Sequence, residues 1–220
     1  MKRTTTMAVA VAVSLVLAGA ARGGVITFGL VEEYSGAASP EGSVPPAWLT
    51  AVFEDVAAGV KLTLTATNLT GNEFVSKWSF NLDPLFDSDP DEANYSFVVQ
   101  SKSRAALDDP DIDLGAGSAS VGGGHKLDLE FGFETGDNAA QRFGIGDSIE
   151  YLITGPAGLA ASSFNVQSTN KTPGLFTSAH VQSIVDTGCG DSGWITVPEP
   201  ATLALMGLGL AGLVVRRRRK

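Results

Sequence analysis

Two stretches of strict alternation limit what this chain can become. From Gly59 to Leu69, Val60, Leu62, Leu64 and Ala66 fall on one side, with Lys61, Thr63, Thr65 and Thr67 on the other. From Lys126 to Glu134, Leu127, Leu129, Phe131 and Phe133 oppose Lys126, Asp128, Glu130 and Glu134. Side chains alternate across a strand, so such runs predict half-buried strands with one wet face. Shorter candidates are Val25–Val31, Leu49–Glu54, Glu73–Leu82, Tyr95–Gln100, Ser148–Ile153, Ser163–Val166 and Ala179–Val185. Runs of this kind, divided by Gly, Pro, Asn and Asp clusters, predict an all-β fold: a single antiparallel β-sandwich of the jelly-roll or Ig-like class. No long helix is expected in the body. No repeat of fixed period argues for a propeller or solenoid.

Two inserts interrupt the rhythm. Asp83–Ala93 and Asp108–Gly124 are acidic or glycine-rich and are not expected as central strands; the second, ending Gly122-Gly123-Gly124, reads as a mobile loop. Charge is distributed unevenly. The chain holds 24 Asp and Glu against 15 Lys and Arg, but between Gly24 and Val197 the counts are 23 and 7, a net of −16. A body so anionic repels phosphate backbones, which excludes nucleic acid as a partner. The lone Cys189 excludes an internal disulfide framework.

The missing cations are at the tips. Met1-Lys2-Arg3 precedes an uncharged run, Met7 to Leu17, and the small residues Ala18-Gly19-Ala20. That order predicts a secretory signal over residues 1–20, removed by signal peptidase after Ala20. At the other end, Val197-Pro198-Glu199-Pro200 leads into an uncharged run, Ala201 to Val215, and then Arg216-Arg217-Arg218-Arg219-Lys220. As a helix this run spans about 22 Å, short of a bilayer core of ~30 Å. The cations hold the terminus on the cytoplasmic side and leave the body facing outward. The expected organisation is a signal peptide and helix (1–20), an acidic ectodomain (24–196) and a sorting segment with a transmembrane helix (197–220).

Pro198-Glu199-Pro200, the Gly- and Leu-rich run and the cations Arg216, Arg217, Arg218 and Arg219 together resemble the PEP-CTERM sorting signal of Gram-negative bacteria. The resemblance implies recognition by an exosortase, a membrane transpeptidase-like cysteine protease, with removal of the helix near the Pro-Glu-Pro. It further implies a precursor anchored by a transient C-terminal helix and a product at the cell surface or outside the cell. Many such proteins are surface or matrix components of bacteria that make exopolysaccharide. Pro45-Pro46-Ala47-Trp48-Leu49-Thr50, Phe80-Asn81-Leu82-Asp83-Pro84 and Ala179-His180-Val181-Gln182 with Gly193-Trp194-Ile195 look like one uncharacterised subset of them, which brings no chemistry with it.

Several constellations invite chemistry. Asp87, Asp89 and Asp91, and again Asp109, Asp111 and Asp113, offer alternate carboxylates of the kind that hold calcium. Neither set completes an EF-hand: Glu92 and Leu114 stand where the turn needs glycine, and Val98 and Ser120 at the twelfth position. Cys189-Gly190-Asp191-Ser192-Gly193 with Ser178-Ala179-His180 mimics a serine protease, but His180 is 12 residues from Ser192, leaving little chain to build a triad. Ser192 reads as a turn residue before the last strand, and His125 and His180 as structural. Trp48, Trp78, Tyr34 and Tyr95 are candidates for a sugar-stacking face, with Trp78 the one placed mid-strand. No carboxylate pair stands out as a glycosidase pair. The sequence therefore predicts a non-enzymatic surface or matrix protein without a resident cofactor, with polysaccharide or neighbouring surface proteins as partners. The alternative is a calcium-assisted carbohydrate-binding module.

Overall fold

Alternation becomes strand in both of the longest patterned stretches. β1 (Val25–Leu30), β3 (Leu49–Val56), β4 (Gly59–Ala66), β6 (Ser96–Lys102) and β10 (Ser148–Thr154) form one antiparallel sheet in the order β1-β3-β4-β10-β6. Every second residue of β4 is buried, with Val60, Leu62, Leu64 and Ala66 turned inward. The tight turn from β3 into β4 depends on Gly59, whose φ is 147° and whose Cβ would stand 2.3 Å from the Ile153 carbonyl oxygen. Only glycine combines that backbone with that approach.

The second sheet runs β2 (Glu32–Glu33), β12 (Ser192–Thr196), β11 (Thr177–Gln182), β5 (Phe74–Phe80), β8 (Lys126–Gly132) and β7 (Asp111–Ser120), and β9 (Phe143–Gly144) also pairs with β5. All pairings are antiparallel. The computed structural model describes residues 23–87, 94–185 and 191–198. The expected signal segment, Asp89, Asp91, Cys189, Glu199, Pro200, the apolar run and Arg216–Arg219 lie outside the described residues.

The two sheets enclose one core. Phe53 of β3 stacks on Phe164 at 4.3 Å and meets Phe80 of β5 edge-on at 5.1 Å. Phe131 of β8 lies 5.2 Å from Tyr151 of β10, a second bridge between the layers. Trp78 is fully buried and its indole N–H donates to Thr177 Oγ1 at 3.1 Å. Burying such rings removes most of their surface from water, the main force holding the layers together.

Part of the acidic excess is structural. Asp55 accepts the amides of Gly24 (2.7 Å) and Ala161 (2.6 Å), and Asp128 those of Leu82 (3.0 Å) and Gly117 (2.8 Å). Glu73, only 3% exposed, accepts those of Glu41 and Thr70, both at 2.7 Å. Carboxylates satisfy loop amides that have no strand partner.

Two expectations need correction. Asp111–Ser120 is not a mobile loop but the edge strand β7. An edge needs a partner on one side only, so Asp111 and Asp113 stay in water while Ile112 and Leu114 pack on the core. A register shift between Leu114 and Ala119 absorbs the Gly115–Ser118 segment. Ser163–Val166 is no strand; Ala161–Phe164 forms a 3-10 turn that delivers Phe164 to Phe53.

Candidate functional site

The sheet register gathers polar and aromatic side chains on the outer face of the second sheet. Trp194, His180, Lys77, Gly132 and Asp111 follow one another across β12, β11, β5, β8 and β7. Ser79, Glu130 and Asp113 form part of the next row. With Ser76, Phe133, Thr135 and Gln182, all of these but the buried Ser79 line a groove of about 550 Å³.

His180 is the groove's centre. Its Nδ1 lies 2.8 Å from Ser76 Oγ, and the Trp194 ring stacks on it at 4.7 Å and 28°. A register shift between His180 and Val181 places both Ser76 and Lys77 opposite His180, which is how a buried serine reaches the imidazole. Burial holds the imidazole pKa below its ordinary value, helped by Lys77 and opposed by Asp191. It is therefore neutral at pH 7. Lys77 pairs with Glu130 at 2.6 Å, and Asp113 stands directly across from Glu130. Next to this row Tyr34 shares a 2.6 Å hydrogen bond with Ser178; burial, outweighing that bond and aided by Glu33, pushes its phenol up to about 12.

A smaller pocket of about 200 Å³ sits where the chain leaves β12, lined by Glu32, Tyr34, His125, Pro173, Phe176 and Pro198 among others. His125 is 9% exposed, its ring meets Tyr34 edge-on at 5.9 Å, and its Nδ1 has no hydrogen-bond partner among the described residues. Burial lowers its pKa, and Lys171 lowers it further.

The expected site residues distribute as follows. Asp109 pairs with Lys102 at 3.0 Å, while Asp111 and Asp113 border the groove. Asp87 ends a single helical turn, Pro84–Asp87. Among the described residues no three His, Cys, Asp or Glu are gathered around a common point fit for a metal ion. Trp48 and Trp78 are buried, and Tyr95 donates to the Phe86 carbonyl, so these rings do not share a face with Tyr34. Ser192 is not a turn residue but opens β12 opposite Gln182, and the hydroxyl bonded to His180 belongs to Ser76 instead. Ser76, Lys77, Glu130 and Gln182 were missed as a group; the one trace in sequence is Lys77, the only charge in the run Phe74–Phe80.

Comparison with known proteins adds one finding. A family model described as the PEP-CTERM protein-sorting motif matches residues 196–219, beginning on the last residue of β12. No curated protein and no solved structure matches the chain. Among the described residues no helix is long and apolar enough to cross a membrane.

Proposed function

We propose that this chain, which carries the PEP-CTERM motif of exosortase-sorted exported proteins, acts as a non-enzymatic structural or adhesive component of the cell surface or extracellular matrix, in contact with exopolysaccharide. In this reading signal peptidase removes residues 1–20. The acidic sandwich, of the broad jelly-roll and Ig-like class, folds outside the inner membrane, anchored by its C-terminal segment until exosortase removes it. The observation that carries the reading is the junction: the matched motif starts where β12 ends, so a cut near Pro198 leaves every described strand in place. A non-catalytic role draws support from the one Ser–His contact at the groove among the described residues, that of Ser76 with His180. Ser76 is 5% exposed, and a nucleophile must reach its substrate. Fractionating cells that express the chain tests the proposal. The body is expected in the surface or extracellular fraction, shorter than the precursor and retained on isolated exopolysaccharide. A full-length cytosolic protein overturns the export reading, and a sorted body that ignores the polysaccharide overturns the matrix role.

A second reading, a calcium-assisted carbohydrate-binding module, is favoured by the groove. Trp194 and His180 offer ring edges beside the carboxylates of Asp111, Asp113 and Glu130, the mixture of apolar and polar groups that sugars engage. Melting the processed protein with and without millimolar calcium separates the readings: a calcium-dependent rise supports the module, and an unchanged transition counts against it.

A further inference from the structure

The connection between fold and membrane segment is too short to leave the orientation of the body free. Thr196 is fixed in the sheet: its hydroxyl donates to the Thr177 carbonyl at 2.7 Å, and its own carbonyl accepts the Val31 amide at 3.0 Å. Val197 still packs against the core, and Pro198 lines the small pocket beside Tyr34 and His125. The uncharged run opens at Ala201. Five residue steps from Thr196 to Ala201 reach at most about 17 Å when fully extended. The strand β5, from Phe74 to Phe80, is about 20 Å long, and its Phe80 end lies opposite Thr177 while its Phe74 end lies opposite Gln182. The tether cannot carry the Thr196 pole to the far side of the body.

We propose that in the unprocessed precursor this pole, marked by Glu32, His125, Pro173, Phe176 and Pro198, rests on the outward headgroup surface of the membrane that holds the tail. The inference rests on the export reading above and adds to it which surface meets lipid. The side chains suit the position. Pro173, Phe176 and Pro198 present apolar area around the pocket. Lys171 reaches the Gly123 carbonyl and Lys126 the Ser120 hydroxyl, so two of the seven body cations stand on the turn that carries His125. A body of net −16 is repelled by anionic lipid, and lysines at the approaching pole offset that repulsion where the two surfaces are closest. Tethering supplies the high local concentration that lets a weak surface contact persist.

The test uses the precursor freed of residues 1–20 but still carrying its tail, in lipid nanodiscs of phosphatidylethanolamine and phosphatidylglycerol carrying a headgroup-attached fluorescence quencher. Cys189→Ser provides a thiol-free background for a fluorophore placed by Glu32→Cys or, separately, by Asn72→Cys. Both native side chains are exposed, Glu32 in register with Thr196 and Asn72 just before β5 at the opposite pole. Unchanged melting of each variant establishes that the fold is intact, and Ser35→Cys and Ile145→Cys, the latter exposed beside Asn72, replace any that melts early. The expected result is severalfold stronger quenching at position 32 than at position 72. Equal quenching, or stronger quenching at 72, with the protein still co-purifying with discs, overturns the orientation and leaves the export reading standing. A precursor that fails to co-purify with discs overturns the membrane tether itself.

Discussion

Replacing Asp147 by alanine removes the most connected carboxylate among the described residues. Its Oδ1 accepts Arg104 Nε at 2.7 Å and Ser103 Oγ at 3.0 Å; its Oδ2 accepts Arg104 Nη2 at 2.7 Å and the Gly144 amide at 2.9 Å. Arg104 in turn holds the carbonyls of Ala140 and Arg142, so this one residue ties the loop before β9 to the end of β6. A hydrogen bond to a charged group contributes about 1.5–3 kcal/mol, yet bonds sharing one carboxylate do not add. Removing one partner of a buried pair costs about 3–5 kcal/mol. Asp147 is buried, but the Arg104 side chain is 35% exposed, and water screens that half of the pair. We expect the low end, about 3 kcal/mol, or a fall in Tm of about 6–12 °C for a body of this size. The loss is pH-dependent. Burial pushes the carboxyl up, but Arg104, the Gly144 amide and Ser103 outweigh it and leave its pKa below the ordinary 3.8. A depressed folded-state value means the stabilisation is complete above the unfolded pKa and vanishes as pH falls through the folded one. Circular dichroism melts at pH 7 and at steps below pH 4 therefore show the gap between native and Asp147→Ala protein closing with acid. A gap under 1–2 °C at pH 7, where about 3 kcal/mol is expected, would falsify the claim that this carboxylate ties the loop.

Three further outcomes follow from the structure and the sequence. Gly59→Ala meets both a φ of 147° and a 2.3 Å approach to the Ile153 carbonyl, and thermal melting is expected to show a loss of at least about 2 kcal/mol; a neutral result means the β3–β4 turn is wrongly drawn. In ultraviolet pH titration Tyr34 is expected to ionise near pH 12, and Tyr34→Phe to delete that late step; an unchanged titration curve removes the basis for its burial against Ser178. Neutralising Arg216–Arg219 is expected to block tail removal and leave full-length precursor in the membrane fraction, whereas normal maturation on an immunoblot refutes a role for these cations.

Legibility in the sequence followed burial. β4 and β8 were readable because each has one dry and one wet face, and period two records that difference directly. β7 was hidden because an edge strand tolerates Asp and Gly, so Asp111–Ser120 carries loop composition on strand geometry. Trp48 illustrates the opposite error. Its indole N–H finds the Gly42 carbonyl inside the fold, and composition alone does not separate such a ring from one displayed to solvent. The groove was unreadable for a different reason: Ser76 and His180 are 104 positions apart and meet only through a register shift between two strands. The sorting tail needed no fold to be recognised, because its order of residues is itself what the processing machinery reads.

The pairing of β2 with β12 joins Glu32 and Glu33, near the start of the body, to Ile195 and Thr196 at its finish. During export the chain emerges from its amino end, so the strand that completes the second sheet is the last to arrive. Long-range closure of this kind is slow. Until it occurs, the flank of β11 that β12 covers stays unpaired, an open sheet edge of the kind that invites another strand.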